Sequence, residues 1–195
     1  KLSELDAALG VLGDVPGSVG IGHTRWATHG APTDRNAHPH LDCRRRIAVI
    51  HNGIIENFTD LRSGLEKRGH VVDSDTDTEV VAHLIEEKEG ALADRVRATV
   101  NELQGAYALV VLALDDPDVI VGVRVSSPLI VGLGDGENVL ASDIPAVLQK
   151  TRTVLPVGEN QVVEVRADGV RVTDLEGNEL EVAPFEVEWD VARAQ

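Results

Sequence analysis

Apolar positions change their spacing several times along this 195-residue chain. Leu2, Leu5 and Leu9 recur at helical intervals ahead of Gly10 and Gly13, which predicts a short helix and its stop. Val19, Ile21 and His23 alternate instead, so residues 18–24 are expected to form a strand. Residues 30–46 carry two prolines and few apolar positions and read as a long ordered loop. The run Ile47-Ala48-Val49-Ile50 predicts a buried strand, with Ile54-Ile55 resuming after His51-Asn52-Gly53.

Phe58, Leu61 and Leu65 predict a helix capped by Asn57 or Thr59 and stopped at Gly69. Val71-Val72 suggests a short strand. Asp77 then stands at the start of a helix bearing Val80, Val81, Leu84 and Ile85, and Leu92, Val96, Val100 and Leu103 predict a third helix. From Ala106 onward the period becomes two. Strands are expected over 106–114 and 119–123 across an Asp-Asp-Pro-Asp turn. Two more hairpins follow, 127–133 with 139–142 and 161–165 with 170–173. Asp143 and Pro145 open a short helix between them.

Hairpins with three helices grouped in the middle predict an α+β fold with mainly antiparallel sheets. The run 107–114 is apolar on both faces, so at least one sheet must be covered on both sides. We read 1–182 as one domain and the acidic, irregular residues 183–195 as the start of a linker.

The net charge of −15 argues against a nucleic-acid partner, which basic surfaces bind. No apolar run suits a membrane span or a signal peptide, and a single cysteine excludes an internal disulfide; both fit the cytoplasm. Methionine is absent and Lys1 is not a residue that normally follows removal of an initiator Met, so a preceding segment is expected.

Polar chemistry concentrates between His23 and Asn57, which hold five of the seven histidines. Polar residues this dense beside buried strands suggest a ligand site. Arg25 suits either a bidentate carboxylate clamp or a surface ion pair. Asp77 suits an ammonium acceptor, a helix N-cap, or both. Asn52-Gly53 offers an oxyanion hole or a hairpin turn. His23, His29, His38, His40 and His51 lack a metal-binding spacing, and no metal or cofactor is expected. Cys43 is either a thiolate favoured by Arg44-Arg45-Arg46 or a plain loop cysteine. Clamp, ammonium acceptor and oxyanion donors together describe a site for an α-amino acid undergoing acyl transfer, without its nucleophile.

These motifs, HTRWATHG at 23–30, NAHPH at 36–40, HNGIIEN at 51–57 and SDTDTE at 74–79, resemble those of the class II glutamine amidotransferases. GAY at 105–107, SPLIVGLG at 127–134 and GENVLASD at 136–143 fit as well. Within that class, Trp26 and Ile54-Ile55 are most similar to the glutaminase domains of glucosamine-6-phosphate synthases (glutamine–fructose-6-phosphate aminotransferases, isomerizing). The resemblance implies a four-layer αββα N-terminal-nucleophile (Ntn) hydrolase fold that hydrolyses L-glutamine. The ammonia would serve synthesis of glucosamine 6-phosphate from fructose 6-phosphate.

By resemblance, Arg25 binds the glutamine carboxylate and Asp77 its ammonium group. Thr28, His29 and His38 belong to the glutamine pocket, Asn52 and Gly53 form the oxyanion hole, and Trp26 gates ammonia. The implied partners are L-glutamine and a following sugar-phosphate isomerase domain in a homo-oligomer, with no nucleic acid or membrane. The family's nucleophile is an N-terminal cysteine, whose α-amino group is the base. This chain starts with Lys1 at a point inside the family domain, so it is expected to be inactive as written. A non-catalytic amino-acid-binding domain of the same fold is the alternative.

Overall fold

The computed structural model describes residues 17–25 and 30–188, together with Ala7, Gly10 and Val11. Ala7, Gly10 and Val11 are helical, so Gly10 does not end the first helix; Leu2, Leu5, Leu9 and Gly13 lie outside the described residues. Among the described residues, three further α-helices follow: α1 (Phe58–Lys67), α2 (Glu79–Glu86) and α3 (Leu92–Val100). Ten strands among the described residues build two sheets in which every named pairing is antiparallel.

The larger sheet has the order β1-β2-β3-β4-β8-β9. Its strands are β1 (His40–Leu41), β2 (Ile47–Ile55), β3 (Gly105–Ala113), β4 (Asp116–Val125), β8 (Gln161–Arg166) and β9 (Gly169–Thr173). The smaller sheet runs β10-β7-β5-β6, from β10 (Phe185–Glu186), β7 (Thr153–Pro156), β5 (Ile130–Leu133) and β6 (Asn138–Ala141). The α+β architecture of antiparallel sheets read from the sequence is the one observed.

Side chains alternate across β3 because successive strand residues point to opposite faces. Tyr107, Leu109 and Val111 join the core beneath the helices, with Val80, Val81, Leu84, Val96 and Val100. Ala108 and Val110 turn the other way, towards Leu129, Val131, Leu155 and Leu140 of the second sheet region. The doubly apolar run is thus a strand between two cores. Gly122 on β4 lets the sheets approach, since a Cβ there would lie 2.8 Å from Leu140 and 3.0 Å from Leu129.

Several local expectations are corrected. Residues 18–24 form no ladder among the described residues, although they alternate. Gly20 and Gly22 supply no side chain to pack on a neighbouring strand. They lie instead along a 700 Å3 cavity beside Ile50, Val110, Ile120 and Leu140. The loop 30–46 contains a 3-10 turn, Asp34–Asn36, and the strand β1. Val71-Val72 is not a strand: the Arg62 guanidinium donates to the carbonyls of Val72 and Ser74, both at 2.7 Å, taking the place of a partner strand at those two carbonyls. Beyond Val182 the chain is not wholly irregular, because Phe185 and Glu186 pair with β7 and Val187 is buried.

Neither helix start uses its expected cap. Asn57 precedes α1 but spends its side chain on the Glu102 carbonyl and the Gln104 N–H, and Thr59 lies inside the helix. Asp77 does not cap α2; its carboxylate accepts from the Ile55 N–H at 2.9 Å. That bond ties the turn before α2 to the end of β2.

Candidate functional site

β2 is one continuous nine-residue strand, so Asn52-Gly53 is not a hairpin turn. Asn52 pairs with Ala108 and Gly53 with Tyr107 in mid-sheet. Gly53 has φ of 119°, and a Cβ there would lie 2.1 Å from the Ala106 carbonyl oxygen. Glycine is required here by close packing of main chain on main chain.

Around this point the chain gathers a polar pocket of 280 Å3, lined by Arg25, His38, Asn52, Gly53 and Asp77 together with His23, His51, Ile54 and Thr78. That size suits a small polar metabolite, lying below the about 300–1,000 Å3 typical of sites for drug-sized ligands. Five residues singled out from the sequence are therefore brought together. Trp26, Thr28 and His29 lie outside the described residues.

The histidines are hydrogen-bonding groups in a relay. His51 Nδ1 lies 2.9 Å from the Thr78 hydroxyl, and His38 Nε2 lies 3.0 Å from it. His38 Nδ1 meets His23 Nδ1 at 2.7 Å, and His23 Nε2 meets Asn52 Oδ1 at 2.8 Å. The His23 and His38 rings stack with centroids 4.5 Å apart.

One assignment of protons satisfies every link with neutral rings. His51 donates to Thr78, Thr78 to His38, His38 to His23, and His23 to the Asn52 carbonyl oxygen. The last link turns the Asn52 amide so that its oxygen is engaged and its NH2 is the outward donor. Burial, reinforced by His23, His40, His51 and Arg25, lowers the His38 pKa to about 3, which keeps this ring neutral.

The turn carrying Asp77 and Thr78 is held from several sides. Asn36 Oδ1 accepts from the Asp75 N–H at 2.9 Å, and the Thr76 hydroxyl meets His40 Nε2 at 2.9 Å. Glu79 accepts from the Asp73 and Ser74 N–H groups. Burial alone would raise its pKa; bonds from His83, Ser74 and Asp73 outweigh burial and bring it to about 2. Asp77 is buried, and His51 Nδ1 stands 3.9 Å from its carboxylate. The Arg25 guanidinium donates to the Gly30 carbonyl at 3.3 Å.

Thr78, whose hydroxyl lies between two imidazoles, and His23 as the partner of Asn52 were missed as functional groups, although both stand inside the matched motifs SDTDTE and HTRWATHG. Cys43 is not in the pocket. Its thiol faces His70 and His83, while Arg44 pairs with Glu86 and Arg46 with Asp115. Its pKa is raised, by burial first and then by Glu86, which goes against the thiolate reading and leaves the plain loop cysteine of the two alternatives.

A family model described as glutamine amidotransferase domain matches residues 23–149. The glutamine–fructose-6-phosphate aminotransferases (isomerizing) of Streptomyces coelicolor and Thermus thermophilus are each 52% identical over the whole of this chain. The chain spans 32% of the length of each. Among solved structures, the glutamine phosphoribosylpyrophosphate amidotransferase of B. subtilis superposes with a TM-score of 0.67 at 26% identity. That likeness covers 80% of this chain and 35% of the other. The sheets, the relatives and the matched motifs agree: this chain has the Ntn-type fold and belongs to the glutamine amidotransferase domain family.

Proposed function

We propose that this domain binds L-glutamine in the 280 Å3 pocket and serves its hydrolysis to glutamate and ammonia. The observation that carries the reading is one cavity bordered by a cation, an anion and an aligned amide: Arg25, Asp77 and Asn52. Arg25 takes the α-carboxylate, because a guanidinium matches a carboxylate in a bidentate geometry. Asp77 takes the α-ammonium group, and its bond to Ile55 fixes the carboxylate before substrate arrives. Asn52, turned by His23, and Gly53 face the oxyanion that forms when the carboxamide is attacked. His38 holds the relay, while Thr28, His29 and the ammonia gate Trp26 are assigned from the family resemblance.

Attack in this reading needs a thiol with an adjacent base. Cys43, the only cysteine in the sequence, contacts His70 and His83, does not line the pocket and is given no part in it. We therefore assign catalysis to the complete polypeptide and none to these 195 residues alone. The relatives' names support a wider proposal: ammonia released here aminates fructose 6-phosphate to give glucosamine 6-phosphate on a following isomerase domain. A cytoplasmic homo-oligomer fits that biosynthetic role; among the described residues no helix is long and apolar enough to cross a membrane. We place the amidotransferase domain at residues 1–182 and the start of a linker at 183–195, a stretch whose Phe185 and Glu186 pair with β7 and whose Val187 is buried.

The test is ammonia and glutamate release from L-glutamine by the complete polypeptide. Equal amounts of both, lost on Arg25→Ala, are expected. Glutamine binding without release of either product would favour the amino-acid-binding alternative.

A further inference from the structure

Away from the glutamine pocket, four side chains from three segments point donor atoms at one place. Cys43 leaves the turn after β1, His70 follows the end of α1, and His83 and Glu86 lie one turn apart on α2. One ligand atom from each lies within 4.8 Å of all the others. Cys43 Sγ is 3.4 Å from His70 Nδ1 and 3.3 Å from His83 Nδ1, and the two Nδ1 atoms are 3.3 Å apart. Glu86 Oε2 is 3.5 Å from His70 Nδ1 and 3.8 Å from His83 Nδ1. Four ligands about 2.0–2.3 Å from a tetrahedral ion are separated from one another by roughly 3.3–3.7 Å. The observed separations are close to those edges.

Proton bookkeeping singles this cluster out. His70 Nε2 hydrogen-bonds Glu87 Oε1 at 3.0 Å; His83 Nε2, buried and without a hydrogen-bond partner, stands 3.6 Å from the Glu79 carboxylate, whose charge favours the proton on that nitrogen. A ring that presents Nε2–H to a carboxylate presents a lone pair at Nδ1. Two such lone pairs then confront each other at 3.3 Å beside a carboxylate, with one thiol hydrogen to share among three acceptors. A cation at the centre removes that conflict. The Glu87 carboxylate on the outer nitrogen of His70 is also the arrangement that orients metal-bound imidazoles.

We propose that Cys43, His70, His83 and Glu86 form a binding site for one divalent, zinc-type metal ion, separate from the glutamine pocket. Sulfur and imidazole donors favour such a borderline-soft ion over Mg2+ or Ca2+, which take oxygen ligands. The Cys43 thiol releases its proton to solvent as the sulfur–metal bond forms. The scaffold is in place beforehand. Asp42 accepts from the N–H groups of Arg46 and Ile47 at 2.6 and 2.7 Å, fixing the turn that presents Cys43. A cleft lined by Asp42, Cys43, Val71, Asp73 and His83 gives an approach from solvent. Through Glu79, which holds the Asp73 and Ser74 N–H groups, the site also reaches the turn bearing Asp77.

The experiment is Co2+ titration of the chelator-treated 195-residue chain, read by its visible spectrum. A thiolate-to-cobalt charge-transfer band saturating at one equivalent is expected, and Cys43 is the only thiol that can produce it. Zn2+ should displace Co2+ and raise the thermal midpoint, while Mg2+ should do neither. Cys43→Ser, an exposed position, should abolish the band and the Zn2+-induced rise. Glu87→Gln should keep the band and weaken affinity by on the order of 10–100-fold. Absence of the band, or tight Zn2+ binding unchanged by Cys43→Ser, would overturn the proposal.

Discussion

Replacing Asn52 by alanine separates chemistry from folding more cleanly than any other change in the pocket. Asn52 is exposed in the middle of β2, and its side-chain oxygen bonds to His23 at 2.8 Å. Truncating an exposed side chain of this kind shifts stability by within about 0.5 kcal/mol. Loss of an oxyanion donor costs on the order of 10²–10³ in kcat, or about 3–4 kcal/mol, because the bond strengthens as charge develops. The expected signature in the complete enzyme is a large fall in glutaminase kcat, a small change in KM and a nearly constant thermal midpoint.

His23→Ala should lose less, about tenfold, since it removes one orienting hydrogen bond worth about 1–1.5 kcal/mol. In an Asn52→Ala background the His23 change should cost almost nothing, because its effect passes through Asn52. Steady-state kinetics and thermal melts on the two single variants and the double variant supply all the numbers. Near-normal kcat for Asn52→Ala, or fully additive losses in the double variant, would refute the oxyanion role and the relay together.

Gly53→Ala should destabilise the domain by at least about 2 kcal/mol, since a Cβ meets the Ala106 carbonyl oxygen at 2.1 Å and φ is 119°; a calorimetric midpoint lowered by several degrees checks it. Asp77→Ala should lower stability as well as glutamine use, because the buried Ile55 N–H loses its acceptor, whereas Asp77→Asn should spare much of the stability. Thermal melts of the two variants decide this. His38 stays neutral in the fold down to about 3 while an unfolded histidine takes its proton near 6.5. The unfolded state thus binds more protons across that window, so His38 makes stability fall as pH drops from 6.5 towards 3. Denaturant titrations at several pH values should show a shallower slope for His38→Gln. The 195-residue chain itself should release no ammonia from glutamine above the uncatalysed rate, and release abolished by Cys43→Ser would contradict the placement of that thiol.

Patterns confined to one element were legible in the sequence. The amphipathic spacings of Phe58-Leu61-Leu65 and Leu92-Val96-Val100 correspond to α1 and α3, and alternation located the hairpins of β3–β4 and β8–β9. The short β7 and β10 were missed, being four and two residues long with a proline closing the first. Asn52-Gly53 looked like a turn because composition shows conformational freedom without showing what uses it; here a neighbouring carbonyl does.

Arg25, His38, Asn52, Gly53 and Asp77 were found through local motifs and do share a pocket. Asp77 illustrates the limit. Its position suggested a helix cap, but its partner is Ile55, 22 residues earlier and on another element. The cluster of Cys43, His70, His83 and Glu86 was illegible for the same reason: two loops and a helix supply its atoms, and no short spacing records their meeting.

Arg25 and Asp77 are assigned the two charged ends of glutamine, and truncated substrates separate the two contacts. Glutaminase kcat/KM of the complete enzyme is measured for wild type, Arg25→Ala and Asp77→Asn. The substrates are L-glutamine, glutaramate, which lacks the amine, and 4-aminobutanamide, which lacks the carboxylate. Each variant should lose at least about 30-fold on glutamine, about 2 kcal/mol or more for an unpaired substrate charge. Arg25→Ala should then leave 4-aminobutanamide almost unaffected, and Asp77→Asn should leave glutaramate almost unaffected. Both variants remaining within about twofold of wild type on glutamine, well under 1 kcal/mol, would contradict the account. So would equal losses on all three substrates.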